Sequence, residues 1–233
     1  KSSSVSVPTK NSPTQDWPKA ESAAGERFVL QEPDDERQTC YKSLIRAEFA
    51  KSGSVFLCLP TVVDIIRTFT SLERGISEYT IALHHQLSTR ELIRAWQRAL
   101  ELAHPVLIIA TPTFLALPRT DIRTIIVDQE NTSVYKSVGR PFLDYRRFAE
   151  YLAETSRATF VLGDAVLRTE TIYRANRGEL EPLASLKHHA ASNAIQTLIA
   201  VKKAPTADFQ VVSNELLEAI TEAEKRNEKF FLF

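Results

Sequence analysis

Two carboxylates that directly follow an apolar run are the first side chains in this sequence that could do chemistry. The run covers residues 124–127 and is followed by Asp128, Gln129 and Glu130. Because residues 125–127 are apolar without alternation, the pattern predicts a strand buried on both faces, as in a parallel sheet covered by helices. Such strands present ligand-binding residues at their carboxyl ends. One carboxylate could therefore hold Mg²⁺ and the other direct an attacking water, as in a Walker B motif. A plain buried strand with a polar turn explains the same residues equally well.

The overall composition excludes several other classes of protein. The chain has 233 residues, 43% of them hydrophobic and 25% charged, and its 29 basic and 29 acidic residues give no net charge. Contact with nucleic acid would therefore have to come from a local basic patch. Cys40 and Cys58 lack the spacing of a zinc site and indicate a reducing compartment. No membrane-spanning run or secretory signal is visible, so we expect a cytoplasmic location, no membrane partner and no metal site of its own.

Strand-like and helix-like segments alternate through most of the chain, which predicts an α/β fold with a parallel sheet and helices on both faces. Asp34 is the expected N-cap of the first helix and Ser88 that of the third. Strands are predicted at residues 28–30, 55–59, 80–83, 106–110, 124–128 and 158–162. Helices are predicted at about residues 34–50, 62–72, 89–103, 143–154 and 166–175.

The chain divides by composition into three parts. Residues 1–26 are rich in Ser, Thr, Pro and Lys and predict a disordered linker or tail. Residues 27–178 hold the alternating strands and helices. Residues 179–233 are less regular, with a strand expected near 197–201, a helix at 213–225 and a strand at 229–233 that would begin a second α/β unit. The absence of Met, even at residue 1, leads us to expect a fragment or a processed chain.

Five segments resemble, in order, motifs of the PriA family of primosomal replication-restart helicases, which are superfamily-two DNA translocases. The resemblance implies a RecA-like helicase motor lobe over residues 27–178 and the start of a second such lobe before residue 233. The segments are LCLPT at 57–61 (family L-x-P-E), LHHQLS at 83–88 (LHSGLS), IATPTFLALP at 109–118 (IGTRSALFLP), IVDQENTSVYK at 126–136 (IVDEEHDSSYK) and LGDAV at 162–166 (LGSAT).

The phosphate-binding loop of that family is degenerate in this chain. Members carry a Gly-rich GxxGxGK[ST] loop whose N–H groups and Lys hold phosphates. Alignment on Tyr41 puts that loop at residues 31–38, which contain no glycine but three consecutive acids, residues 34–36. Arg37, Gln38 and Thr39 occupy the degenerate position. The resemblance therefore implies that ATP and Mg²⁺ are not cofactors unless this site works in an unconventional way, with Asp128 and Glu130 either vestigial or Mg²⁺-binding.

The resemblance also implies roles for residues that follow the other strands. The residues expected to contact DNA are Pro60, Thr61, His85, Thr111, Pro112, Thr113 and Arg140. Gly163 and Asp164 stand where the family couples nucleotide hydrolysis to movement. Seven arginines between residues 140 and 177 fit either a solvated helix face or a patch that follows phosphates.

Three functional hypotheses remain open at this stage. The first is a PriA-like lobe with impaired or absent ATP hydrolysis that binds single-stranded or forked DNA, or replication-restart proteins. The second is a working DNA-dependent ATPase or helicase with an unconventional nucleotide site, and the third is a purely structural or assembly domain. The absence of the Gly-rich loop favours the first hypothesis, whereas the retained Asp-x-Glu favours the second.

Overall fold

The structure is a computed structural model that describes residues 25–71, 76–186 and 214–226. Seven strands lie in one sheet. They are β1 (Arg27–Gln31), β2 (Ser54–Cys58), β3 (Thr80–Leu83), β4 (Leu107–Ala110), β5 (Ile122–Asp128), β6 (Thr159–Asp164) and β7 (Glu181–Pro182).

Helices follow most of these strands. They are α1 (Asp34–Ala50), α2 (Val62–Ser71), α3 (Thr89–Glu101), α4 (Tyr145–Ser156), α5 (Thr169–Asn176) and α6 (Asn214–Lys225). Short 3-10 turns lie at Ser77–Tyr79, Pro112–Phe114 and Ser133–Tyr135.

All recorded strand pairings are parallel, and the strand order across the sheet is β3-β4-β2-β5-β6-β1-β7. Consecutive residues of β1 to β6 enter two different cores. Val29 packs in one core and Phe28 in the other. Because strand side chains alternate between the faces of a sheet, both faces are covered.

Different helices cover the two faces of the sheet. Helices α3, α4 and α5 contribute Ala99, Ala149 and Ile172 to one core, whereas α1 and α2 contribute Ile45 and Ile65 to the other. The predicted α/β class, a parallel sheet with helices on both faces as in a RecA-like lobe, is confirmed.

The start of α3 forms as the sequence predicts. Ser88 accepts a hydrogen bond from the Glu91 N–H, and the Glu91 carboxylate accepts one from the Ser88 N–H, which completes a capping box. This arrangement fixes the loop between β3 and α3.

The sheet continues past residue 178, where the lobe was expected to end, because β7 pairs with β1. Leu180 is buried in the same core as Val29. By its contacts the chain divides into two compact units, residues 1–187 and 188–233. Within the second unit, α6 matches the predicted helix, while the strands predicted at 197–201 and 229–233 lie outside the described residues, as does the predicted tail up to residue 24.

Candidate nucleotide cleft and nucleic-acid edge

A polar cleft of about 280 Å³ lies where the resemblance predicts a nucleotide, between the first turns of α1 and helix α2. Both helices follow the carboxyl ends of their strands, so the cleft is at the carboxyl edge of the sheet. The lining side chains are Asp34, Asp35, Gln38, Thr39, Lys42, Asp64, Arg67, Thr68, Ser71, Asp128 and Gln129.

The Asp128 carboxylate behind this cleft is bonded within the protein. Arg37 Nε donates to Asp128 Oδ1 at 2.8 Å, and Arg37 Nη2 lies 3.4 Å from Oδ2. The Tyr41 hydroxyl donates to the same Oδ1 at 2.8 Å. Arg37, Tyr41 and Asp128 are each 1% exposed, so the ion pair is shielded from water. Residues 37 and 41 are four apart on α1, which places both side chains on one helix face.

Burial and pairing act in opposite directions on the charges of this pair. Burial raises the pKa of Asp128 above its ordinary value, while the hydrogen bonds and charge of Arg37 and the Tyr41 hydroxyl oppose that rise. Burial alone would lower the pKa of Arg37, but its hydrogen bond and charge interaction with Asp128 outweigh burial, so the guanidinium stays charged.

The predicted N-cap role of Asp34 is wrong. Pro33 occupies the N-cap position of α1, without a side-chain capping bond. The Asp34 carboxylate instead accepts a hydrogen bond from Arg37 Nη2, because the guanidinium one turn along is a stronger partner than a neutral N–H. Arg37 Nη1 also donates to the Glu32 carbonyl at 2.8 Å. The guanidinium thus joins the β1–α1 loop to the end of β5.

Gln38 and Thr39, the other two residues of the degenerate phosphate-loop position, both line the cleft. The Thr39 hydroxyl donates to the Asp35 carbonyl at 2.9 Å, within its own helix. Its donor is therefore used locally.

Glu130 does not line the cleft, contrary to the expectation that it directs a water there. Its side chain is fully buried, and Oε1 accepts a hydrogen bond from the Arg168 N–H at the start of α5. Burial raises the pKa of Glu130 above its ordinary value, partly offset by that N–H and the Thr171 hydroxyl. Gln129, in a left-handed conformation with φ of 52°, supplies the cleft-lining side chain next to Asp128. Because of the turn at the strand end, Gln129 rather than Glu130 lines the cleft beside Asp128.

Gly163 and Asp164 connect three loops at this edge. A Cβ atom at Gly163 would collide with the Tyr41 hydroxyl, so glycine is required for the close approach of α1 to β6. Asp164 Oδ2 accepts from the Asn131 N–H at 2.9 Å, and its carbonyl accepts from the Glu32 N–H at 3.2 Å. Their predicted coupling role stays a prediction.

Two side chains that the sequence reasoning missed hold the strand ends in place. The buried Tyr135 hydroxyl lies 2.6 Å from the Asp128 carbonyl and 3.1 Å from the Cys58 carbonyl. Arg146 is 5% exposed and donates to the Glu130 carbonyl at 2.6 Å, with its guanidinium carbon 5.7 Å from the centre of the Tyr135 ring. Tyr135 was visible only as part of a family-like segment, and Arg146 only as one arginine among seven.

The residues predicted to contact DNA follow strands that are neighbours in the sheet. Pro60 and Thr61 follow β2, His85 follows β3, residues 111–113 follow β4, and Arg140 lies in the loop after β5. Since β3, β4, β2 and β5 are adjacent and parallel, these loops share one edge.

Their side chains differ in accessibility. Thr61, His85, Thr113 and Arg140 are exposed, whereas Pro60, Thr111 and Pro112 are buried. The Thr111 and Thr113 hydroxyls lie 3.3 Å apart. The Thr61 hydroxyl accepts a hydrogen bond from the Asp64 N–H in the first turn of α2. Of the residues predicted to contact DNA, only these four exposed side chains are accessible to a ligand.

Most of the seven arginines between 140 and 177 are bound by acids. Arg147 and Arg174 both pair with Glu150, and Arg168 pairs with Glu170 and Asp144. Arg177 pairs with Glu179, and Arg146 is buried. Arg140 and Arg157 form no ion pair within the described ranges, so the cluster as a whole is neither a free basic patch nor a merely solvated face.

Curated relatives are replication restart proteins. The PriA proteins of Borreliella burgdorferi, Chlamydia pneumoniae and Bacillus subtilis are 24%, 27% and 24% identical to the chain over 86%, 80% and 83% of its length. The matches cover 34%, 26% and 24% of those proteins, so the chain spans about a quarter to a third of the relatives' length. The predicted resemblance to PriA is confirmed.

Solved structures give weaker likenesses, and no protein-family model matches the chain. The helicase domain of Pyrococcus furiosus Hef has a TM-score of 0.48 at 20% identity, covering 67% of this chain and 34% of that one. The C-terminal domain of S. cerevisiae Dbp5 bound to Gle1 and IP6 has a TM-score of 0.47 at 14% identity, covering 68% and 88%. TM-scores below 0.5 are too low to support an inference.

Within residues 25–71, 76–186 and 214–226, none of the helices has both the length and the apolarity needed to cross a membrane. The same residues contain no group of three or more His, Cys, Asp or Glu side chains arranged to hold a metal ion.

Proposed function

We propose that this chain is a PriA-like helicase motor lobe that serves DNA replication restart without hydrolysing ATP, and that it acts by binding DNA or partner proteins. The observation that carries the proposal is the buried ion pair between Arg37 and Asp128. It occupies the carboxylate that a helicase lobe needs for Mg²⁺.

A divalent cation needs free carboxylate oxygens, and this carboxylate has none facing solvent. Both Asp128 oxygens face the Arg37 guanidinium, and Oδ1 also accepts from Tyr41. Binding Mg²⁺ here would bring a second cation beside a buried guanidinium, which is unfavourable at low dielectric. The residues present therefore do not fit Mg·ATP.

The start of α1 is also unsuited to a triphosphate. Helix N-termini bind phosphates when N–H groups and the helix dipole face the ligand without obstruction. Here the first turn carries the exposed acids Asp34, Asp35 and Glu36. Their negative charge repels phosphate, and the side chains obstruct close approach of the backbone.

The second position that hydrolysis needs is also altered. The cleft-lining neighbour of Asp128 is Gln129, and an amide cannot take a proton from water at neutral pH. Glu130, which could, is buried against the start of α5. Two independent requirements for hydrolysis are thus unmet in the same cleft.

The test is isothermal titration calorimetry of the chain with Mg·ATP up to millimolar concentration. We expect no saturable heat from the parent protein. The Asp128→Asn variant provides the decisive comparison, and Glu101→Gln, an exposed carboxylate on α3, is the matched control. Saturable heat in the parent and in Glu101→Gln, but not in Asp128→Asn, would contradict the proposal.

DNA binding is supported by the accessible polar and basic side chains on the carboxyl edge. Thr61, His85, Thr113 and Arg140 are exposed on loops that follow four adjacent strands. Hydroxyls and guanidinium groups of this kind suit contact with phosphates. Partner proteins of the replication-restart machinery are the other class of ligand that this edge could take.

The cleft itself favours a second candidate function, a DNA-dependent ATPase with an unconventional site. The cleft is about 280 Å³ in volume and retains Lys42 and Arg67 among its lining residues. In this case DNA should stimulate phosphate release from ATP by the chain. Phosphate release that disappears in Asp128→Asn would favour the ATPase over the binding module.

A further inference from the structure

Helix α3 carries a row of three exposed arginines that the predictions from the sequence did not use. Arg90, Arg94 and Arg98 are spaced by four residues and are all exposed. Residues four apart lie on one helix face, about 6 Å apart along the axis at ~1.5 Å per residue. The helix therefore presents guanidinium groups at successive turns.

These arginines differ from those of α4 and α5 in being little used inside the protein. Arg147 and Arg174 are paired with Glu150, whereas Arg90 and Arg94 form no salt bridge in the part of the chain that the structure describes. Arg98 Nη2 donates to the Glu78 carbonyl at 2.7 Å. That contact orients its side chain without neutralising its charge.

Nearby acids do not cancel the row. Glu91 is held at the helix start, where its Oε2 accepts from the Ser88 N–H at 2.9 Å and from the Ser88 hydroxyl at 2.6 Å. Glu101 lies at the opposite end of the helix. Residues 94–98 contain two arginines and no acid, so the row keeps a net positive charge.

The position of α3 places this row beside the predicted DNA-binding edge. The helix begins at Thr89, after the carboxyl end of β3, which is the outermost strand of the sheet. His85 lies in the connecting loop, and Thr113 follows the neighbouring strand β4. Arg90 is thus nearest to the edge, and Arg98 lies about two turns further along the helix.

We propose that the row of Arg90, Arg94 and Arg98 is a phosphate-binding track for the backbone of DNA that crosses the carboxyl edge at β3 and continues along α3. The inference rests on the proposed function, because it assigns DNA a path across the β3 margin of the same edge. Exposed guanidinium groups at regular spacing recognise phosphate charge, and contacts to phosphates carry no sequence information. The track therefore contributes affinity without sequence preference.

The test measures the salt dependence of DNA binding by the double variant Arg90→Gln/Arg94→Gln. Glutamine is nearly as good a helix former as arginine, so α3 should stay folded; circular dichroism checks this. Binding of labelled single-stranded and duplex DNA of equal length is titrated across a series of salt concentrations. Each lost phosphate contact lowers the slope of log K against log salt by about 0.7 for single strands and about 0.9 for duplex. We expect the double variant to lose about 1.4 in slope with single strands and about 1.8 with duplex.

The matched control is Arg123→Gln/Arg157→Gln. Both residues are exposed, and they lie near the amino ends of β5 and β6, at the opposite edge of the sheet. The control removes the same two charges and should leave the slope unchanged.

Four outcomes would overturn the track. Equal slope losses in both double variants would show only an effect of net charge, and no loss in Arg90→Gln/Arg94→Gln would remove the row from the interface. Poly-glutamate is titrated as a second polyanion. If Arg90→Gln/Arg94→Gln loses binding to poly-glutamate but binds DNA unchanged, the row binds an acidic protein and not DNA. Failure of the parent protein to bind DNA at low salt would instead contradict the DNA-binding form of the proposed function, and with it the track.

Discussion

A guanidinium beside a buried carboxylate decides what that carboxylate can do. Asp128 stands at the end of a central strand, where a cation would be held, but its partner is Arg37. Arginine keeps its charge in nearly every protein environment and forms directed hydrogen bonds through a planar group. The pair therefore works as an internal substitute for an external cation, and its strength can be measured.

Arg37→Met should lower the free energy of unfolding by about 3–5 kcal/mol, because it leaves a buried carboxylate without its partner. The double variant Arg37→Met/Asp128→Asn should lose less than the sum of the two single changes, since the uncompensated charge is gone. Urea unfolding measures all three.

The exposed residue Arg94 offers the matched control. Arg94→Met should change stability by no more than about 0.5 kcal/mol. Additive effects of Arg37→Met and Asp128→Asn would show that the two side chains are not energetically coupled.

Glu130 should make stability depend on pH in a defined direction. Burial raises its pKa above the ordinary value of 4.5, so the folded protein holds this proton more tightly than the unfolded chain does. The associated stability is present below about pH 4.5 and is lost as pH rises through the folded-state pKa. In Glu130→Gln this loss disappears, so the stability of the parent relative to the variant should fall as pH rises above about 4.5.

Urea midpoints of the parent and of Glu130→Gln at several pH values measure this difference. Glu101→Gln, at an exposed position, provides the comparison for a carboxylate outside the core. If the stability of the parent relative to Glu130→Gln rises with pH, the assigned direction is contradicted.

At the scale of elements, the approach of α1 to β6 depends on one missing side chain. Tyr41 reaches Asp128 across the position that a Cβ at residue 163 would fill. The helix can therefore stay close to the sheet only while residue 163 is glycine. This contact joins the β1–α1 connection to the strand end that carries the predicted coupling residues.

Gly163→Ala should lower the free energy of unfolding by about 1–3 kcal/mol, because overpacking forces α1 or Tyr41 to move. Removing the Tyr41 hydroxyl relieves the collision, so Gly163→Ala/Tyr41→Phe should be less destabilised than the two single variants summed. Gly139→Ala is the control, since a Cβ there meets no atom within 4 Å. Equal effects at both glycines would mean that packing against Tyr41 is not the cause.

At the scale of the whole molecule, a neutral protein must bind DNA through one face. Its 29 basic and 29 acidic residues cancel in number, and Glu150 and Glu179 bind several arginines of α4 and α5. Among the described residues, Arg140 in the β5 loop is an exposed arginine without an ion pair at the carboxyl edge, which leaves this edge open to an anionic ligand. Binding there should be weak and strongly dependent on salt.

Arg140→Gln should weaken DNA binding at low salt and lower the salt slope by about 0.7–0.9. Arg157→Gln, an exposed arginine before the amino end of β6, should leave both unchanged. Thr113→Ala should weaken binding more than Thr111→Ala, because Thr113 is exposed and Thr111 is 6% exposed. Fluorescence anisotropy with forked and single-stranded DNA measures these effects. Binding that is indifferent to Arg140 and Thr113 would favour an assembly role.

The sequence by itself determined the elements and their layering. Two-sided apolar strands such as residues 125–127, the Ser88 cap and the regular alternation with helices were sufficient to predict a parallel sheet covered on both faces. These signals are local, because periodicity and capping depend on residues a few positions apart. The same reasoning placed Asp128 at a strand end. It also showed that the loop before α1 contains no glycine.

Only the tertiary structure decided which groups meet. Arg37 and Asp128 are 91 positions apart, and no local pattern predicts that they form an ion pair. The local pattern favoured Asp34 as a helix cap, but its carboxylate accepts a hydrogen bond from Arg37, whose guanidinium is held in place by the distant Asp128. Glu130 was expected beside Asp128 in the cleft, but Gln129 lines the cleft instead. The backbone of Gln129 adopts a left-handed turn, and the start of α5 supplies an N–H for Glu130. Side-chain direction at a strand end depends on such turns and on what packs there, which is why the strand was predictable and the chemistry of its carboxylates was not.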